Sequence, residues 1–145
     1  MNLFPEQSDH PLFRYFDDGE RTLVEAIGLV IELDDGAILA KAGQRDTRLF
    51  TVEQGVIEIV APNGRVLATV GTGDVIGEIS FVDESPRLAT MRAAEPSLVR
   101  AWERSSLLDA LKDEPATLAK FTTALCQLLV ERLRDTAKAG VAPRN

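Results

Sequence analysis

Basic residues, cysteine, aromatics and long apolar runs are all scarce in this chain, and each shortage closes off a class of function. Lysine and arginine number 16 against 23 aspartates and glutamates, a formal net charge of −7. Gripping a phosphate backbone needs a basic face, so no nucleic-acid partner is expected. The single cysteine, Cys126, excludes an internal disulfide and reads as a thiol packed among the apolar residues of a helix. No apolar stretch approaches the roughly 18 residues of a membrane span, and no basic run opens the chain. The expectation is a cytoplasmic protein with no membrane partner. No nucleophile is arranged beside a base, and no cluster has metal-ligand spacing, so neither an enzyme nor a metal site is expected. Aromatics amount to one Trp, one Tyr and six Phe, which leaves the core to aliphatic side chains.

What is present is enough for one domain. A chain of 145 residues buries a real core but is too short for two. Residues 1–16 read as an N-terminal arm, with Met1 to Asp9 loose and Pro11 to Phe16 an apolar turn that docks on the body. His10, within that arm, reads as solvated. Asp17-Asp18-Gly19-Glu20 supplies acceptors for a helix start. A helix over about Glu20 to Ile27 would put Leu23, Val24 and Ile27 on one face.

From Leu29 the period changes to short β runs broken by turns. Strands are predicted at Leu29 to Leu33, Ile38 to Lys41, Leu49 to Val52, Gly55 to Val60 and Arg65 to Val70. Others follow at Asp74 to Ile76, Leu88 to Ala93 and Ser97 to Trp102. Asn63-Gly64 marks a tight hairpin, with both residues tolerating positive φ. Spacings of about ten residues, without alternating long helices, predict an antiparallel β-roll of the jelly-roll barrel type rather than a parallel sheet. The chain is therefore mainly β with flanking α: a short N-terminal helix, a roll over about 29–103, two C-terminal helices over about 104–138 and a tail at 139–145. Pro115 suits the first position of the longer helix. Leu118, Phe121, Leu125 and Leu128 form one stripe on it. Cys126, Leu129 and Leu133 form a neighbouring stripe, serving either a broad core face or a face that closes over a ligand or pairs with another subunit.

The chemistry is concentrated between Gly71 and Thr90. Gly77 lets a ligand approach the backbone, and amides at the start of the following turn, Ile79 and Ser80 among them, suit an anion. Pro86 stiffens the chain ahead of Arg87, whose planar fork can grip a phosphate through two hydrogen bonds. Glu78 is an acceptor suited to a sugar hydroxyl. Together these fit a phosphorylated sugar. The competing reading of Glu78 and Arg87 is an ion pair closing a surface loop. Asp83 and Glu84 read as a solvated turn, and Trp102 as core rather than a stacking platform for a base.

Gly77-Glu78-Ile79-Ser80, followed by Pro86-Arg87-Leu88-Ala89-Thr90, closely resembles the phosphate-binding cassette of the cyclic nucleotide-binding domain family, of the type in protein kinase A regulatory subunits. Asp35 to Gly43, Phe50 to Ile59 and the helices after Arg104 extend the resemblance over about Glu20 to Arg134. It implies that Glu78 holds the ribose 2′-hydroxyl and Arg87 the cyclic phosphate, with backbone N–H groups of Ile79, Ser80 and Leu88 completing the cradle. Where the family prefers guanine, the residue after the arginine often bears a hydroxyl. Leu88 bears none, so cyclic AMP is expected and cyclic GMP is the alternative. No DNA-binding, kinase, channel or cyclase segment is recognisable up to Asn145. The expectation is a stand-alone receptor relaying its signal to a separate effector protein, or to a homodimer partner, through the last helix. The contrary reading keeps the fold as an interaction module with no nucleotide ligand.

Overall fold

The computed structural model describes residues 4–140, so residues 1–3 and, of the expected tail at 139–145, residues 141–145 lie outside the described residues; residues 139 and 140 are the end and the cap of the last helix. Residues 4–9 are tied down rather than loose. The Gln7 amide donates to the Arg14 carbonyl at 2.8 Å, and the Phe4 ring lies 5.9 Å from that of Tyr15. The turn at 11–15 docks as expected, burying Leu12, Phe13, Tyr15 and Phe16. His10 is half-buried, not solvated: its Nδ1 accepts hydrogen bonds from the Leu12 and Phe13 amides, and its ring stacks on Phe13.

Helix α1 spans Asp18–Ile27 and starts two residues earlier than its apolar pattern suggests. Asp17 caps it by accepting from the Glu20 amide, and the Glu20 carboxylate accepts from the Asp17 amide, so two otherwise orphaned donors are satisfied reciprocally. Of its expected apolar face, Val24 is buried and Ile27 partly so, whereas Leu23 is exposed.

Among the described residues eight strands follow: β1 (Leu29–Leu33), β2 (Ile38–Ala40), β3 (Arg48–Gln54), β4 (Val56–Val60), β5 (Val66–Gly71), β6 (Val75–Ile76), β7 (Thr90–Ala93) and β8 (Ser97–Glu103). All pairings are antiparallel and form two four-stranded sheets, in the orders β1-β8-β3-β6 and β2-β7-β4-β5. The predicted mainly β roll with flanking helices is the observed architecture. The β4–β5 hairpin turns differently from the expected two-residue form. Only Gly64 adopts positive φ (89°), the Gly64 amide donates to the Ala61 carbonyl, and Ala61 donates to Arg65. Pro62 presets the first turn position, so Pro62-Asn63-Gly64 make a three-residue loop ending in a left-handed glycine.

Alternation along the strands builds two cores. Phe50, Val52, Ile76, Val99 and Ala101 point between the sheets, where they meet Ile57, Ile59, Ala89 and Met91. Their neighbours Leu49, Val75 and Trp102 point the other way, onto a helical layer. That layer comprises α1, α3 (Arg104–Ala110) and α4 (Pro115–Ala139), through Val24, Leu107, Phe121, Leu125 and Leu128. Cys126 is exposed on α4, which overturns its reading as a packed thiol. Buried Ala124 and Leu128 each lie two residues away, about half a turn, which puts Cys126 on the opposite face of α4.

Candidate functional site

β6 ends at Ile76, and the next residue redirects the chain. Gly77 has φ 85°, in the left-handed region, and caps the six-residue helix α2 (Glu78–Asp83). A Cβ there would lie 2.8 Å from both the Arg48 carbonyl oxygen and Arg87 Nη1, so the packing itself demands glycine. The first helical bond runs from the Phe81 amide to the Gly77 carbonyl, leaving amides 78–80 ahead of the ladder. Phe81 is buried edge-on to Phe121 of α4 and seats α2 on the body. Asp83 and Glu84 are exposed, as expected of a solvated turn. Hydrogen bonds from Ser85 hold the Asp83 carboxyl below its ordinary pKa.

Arg87 is 2% exposed. Its Nη1 donates to the Gly77 carbonyl at 3.1 Å and its Nη2 to the Arg48 carbonyl at 2.6 Å. Asp46 Oδ2 lies 3.1 Å from Nη2, and Asp46 also takes a two-pronged grip from Arg48 at 2.8 and 2.9 Å. Two guanidiniums thus share one carboxylate, and the cluster carries one excess positive charge. Burial lowers the pKa of Arg87, partly offset by Asp46, but an arginine stays protonated. Burial pushes the Asp46 carboxyl up, and the hydrogen bonds and charges of Arg48 and Arg87 outweigh it, holding its pKa below the usual value. Among the described residues, Arg87 Nε is buried without a hydrogen-bond partner.

Glu78 is 0% exposed. Its Oε1 accepts from Arg132 Nη1 of α4 at 2.9 Å, while Arg132 Nη2 donates to the Val75 carbonyl at 2.7 Å. A cleft of about 310 Å³ opens beside this pair, lined by Glu78, Ile79, Val82, Leu129, Arg132 and Leu133 among others.

The structure therefore puts Glu78 and Ile79 on the cleft, while Arg87 does not line it and instead sits against the Gly77 carbonyl; Ser80 is buried. Pro86 and Leu88 are exposed, and Ala89 packs between the sheets. Thr90 Oγ1 accepts from the Ala42 amide, pinning the cassette to the 41–47 loop. Backbone bonds between Gly43 and Arg87 and between Arg87 and Gln44 do the same. Trp102 is 1% exposed and donates to the Val24 carbonyl at 2.8 Å, which makes it core. Sequence reasoning missed Asp46, Arg48 and Arg132. The first two lie in what reads as a polar loop and its edge, and the third is one charge among several near the end of a helix. No local spacing signals their contacts.

The cyclic nucleotide-binding domain family matches residues 30–114. The chain is 30% identical to a cyclic nucleotide-gated cation channel protein of Drosophila melanogaster, over 80% of this chain and 19% of the channel protein. It thus spans about a fifth of that relative's length. A cyclic nucleotide-binding domain from Methylobacillus flagellatus superposes with a TM-score of 0.80 at 26% identity, covering 88% of this chain and 74% of the other. The N-terminal domain of a transcriptional regulator from Streptomyces coelicolor superposes with a TM-score of 0.73 at 31% identity, covering 92% and 94%. With the fold, the cassette and the matched span in agreement, this chain belongs to the cyclic nucleotide-binding domain family.

Proposed function

We propose that this domain is a non-catalytic receptor for a cyclic nucleotide monophosphate, with cyclic AMP preferred over cyclic GMP. Arg87 holds the cyclic phosphate, Glu78 the ribose 2′-hydroxyl, and the amides of Ile79, Ser80 and Leu88 complete the cradle. The observation that carries this reading is the buried cluster of Arg87, Arg48 and Asp46. It keeps an excess positive charge, and one guanidinium donor without a partner, against a backbone that only glycine can form. A buried donor left unmet costs about 1–3 kcal/mol, which an anion at that position would recover. Leu88 is 53% exposed beside the cradle and has no hydroxyl for a guanine amino group. The preference for adenine rests on that side chain. The relay runs through the C-terminal half of α4 to a separate effector protein: no side chain at 129–138 is fully buried, so this segment can move without opening the core.

Calorimetry with cyclic AMP and cyclic GMP tests the reading. The wild-type protein should bind both, cyclic AMP more tightly, and Arg87→Ala should lose about 2–5 kcal/mol of binding, the scale for truncating one partner of a buried charge pair. Because Arg87 also anchors Asp46, Arg87→Lys is measured alongside it; it keeps the charge but not the fork and should bind weakly while remaining folded. One observation favours the contrary reading of a ligand-free interaction module: protein groups already engage both Glu78 and Arg87. Absence of heat, with an unchanged melting temperature in millimolar cyclic nucleotide, would decide for the module, since binding must raise that temperature by mass action.

A further inference from the structure

The carboxylate that the proposed ribose contact requires is already taken, and by the helix proposed to carry the signal. Glu78 is 0% exposed, and Arg132 lines the same cleft with its side chain 14% exposed. The two nitrogens of one guanidinium reach the two residues that flank the Ile76-Gly77 corner, Glu78 by an ion pair and Val75 by a backbone hydrogen bond. Glu78 offers a sugar hydroxyl no exposed surface in this arrangement, and Arg132 is the cleft side chain that holds its Oε1.

The rest of that stretch of α4 is weakly held. Leu129 packs only partly against the helical core, and Leu133 is 66% exposed. Glu131 pairs with Arg14 at 3.4 Å from a position that is 53% exposed, a pairing of little energetic weight. Arg132 is thus the principal tie between the last three turns of α4 and the cassette.

Resting on the proposed ligand, the geometry points to Arg132 as a latch: it closes Glu78 in the ligand-free domain and is displaced when a ribose hydroxyl claims the carboxylate, releasing the end of α4. A ligand shifts such an equilibrium only through its differential affinity for the two arrangements. Here that difference has a named source, one buried carboxylate with two claimants. Reciprocity follows: whatever loosens Arg132 tightens the nucleotide, by the same factor that the nucleotide loosens α4.

The test pairs calorimetry with amide hydrogen exchange on the full chain, comparing wild type with Arg132→Gln and Arg132→Lys, using cyclic AMP and cyclic GMP as probes. Arg132→Gln should bind cyclic AMP about tenfold more tightly, within the usual range of coupling between sites. Its residues 130–139 should exchange without ligand as fast as those of the ligand-bound wild type, with protection of the strands unchanged. Arg132→Lys keeps one prong and should fall between. It serves as the deciding variant if the glutamine form, which strands a buried carboxylate, is unfolded. Binding by wild type together with equal or weaker binding by the variants overturns the latch and leaves the receptor reading intact. Ligand binding that leaves exchange at 130–139 unaltered also overturns the latch. No binding by any of the three proteins overturns the receptor reading and the latch together.

Discussion

Adding one methyl group at Gly77 would place a carbon 2.8 Å from a carbonyl oxygen and 2.8 Å from the nitrogen of a buried guanidinium, on a backbone with φ near 85°. Both penalties act at once, because neither Arg48 nor Arg87 can retreat without breaking its hold on Asp46. Gly77→Ala should therefore lower stability by about 1–3 kcal/mol, the usual cost of a forced left-handed residue, read as a lower urea midpoint with an unchanged slope. Asp46 illustrates how a residue without any reactive role governs a site. By binding two arginines it fixes where the excess charge sits, and its depressed pKa keeps it ionised well into the acid range.

Among the elements, those with strong local rules were legible in the sequence and those held by distant partners were not. The strands declared themselves by alternation, α4 by its leucine spacing and Pro115, and the cassette by its glycine, glutamate and Pro-Arg order. β7 starts at Thr90 rather than Leu88, because the Arg87 backbone pairs with Gly43 and Gln44 instead of a sheet neighbour. The clasp on Glu78 comes from a residue 54 positions away, beyond the reach of any window. The order of the N-terminal turn escaped local rules for a related reason: an acceptor from His10 organises it, and histidine is not a usual cap. Burial, then the charge of Arg21, lowers the His10 pKa from 6.5 to about 4, against smaller opposing effects from Glu53 and Glu25. Between those values the unfolded chain holds the proton and the folded chain does not. Stability should thus fall as the pH drops from about 6.5 to about 4 and then level off for this group. The loss should be on the order of 2 kcal/mol, allowing for a ring that is only partly buried. His10→Asn keeps an acceptor without the titration, and its urea midpoints should lack this component between pH 7 and pH 4.

At the scale of the whole molecule, a chain of net charge −7 is proposed to receive an anion. The contradiction is resolved by placement: the favourable field is local to Arg87 and Arg48, while the acidic excess lies elsewhere on the surface. Local fields of this kind act over a few ångströms, and salt screens the remainder within about 10 Å at moderate ionic strength. No described helix is long and apolar enough to cross a membrane.

Trp102 gives the molecule an optical gauge of its own cohesion. It is the single tryptophan, it donates its indole proton to α1 through Val24, and it meets Phe13 of the N-terminal turn edge-on from the face of β8. Its emission thus reports whether the helical layer remains seated on the roll, and the indole takes no part in the Glu78 cleft. The emission maximum should be blue in the native protein and indifferent to cyclic nucleotide. On urea titration it should move red in step with far-ultraviolet dichroism if roll and helices unfold as one cooperative body. A fluorescence transition that precedes the dichroism would mean that the helices peel away first.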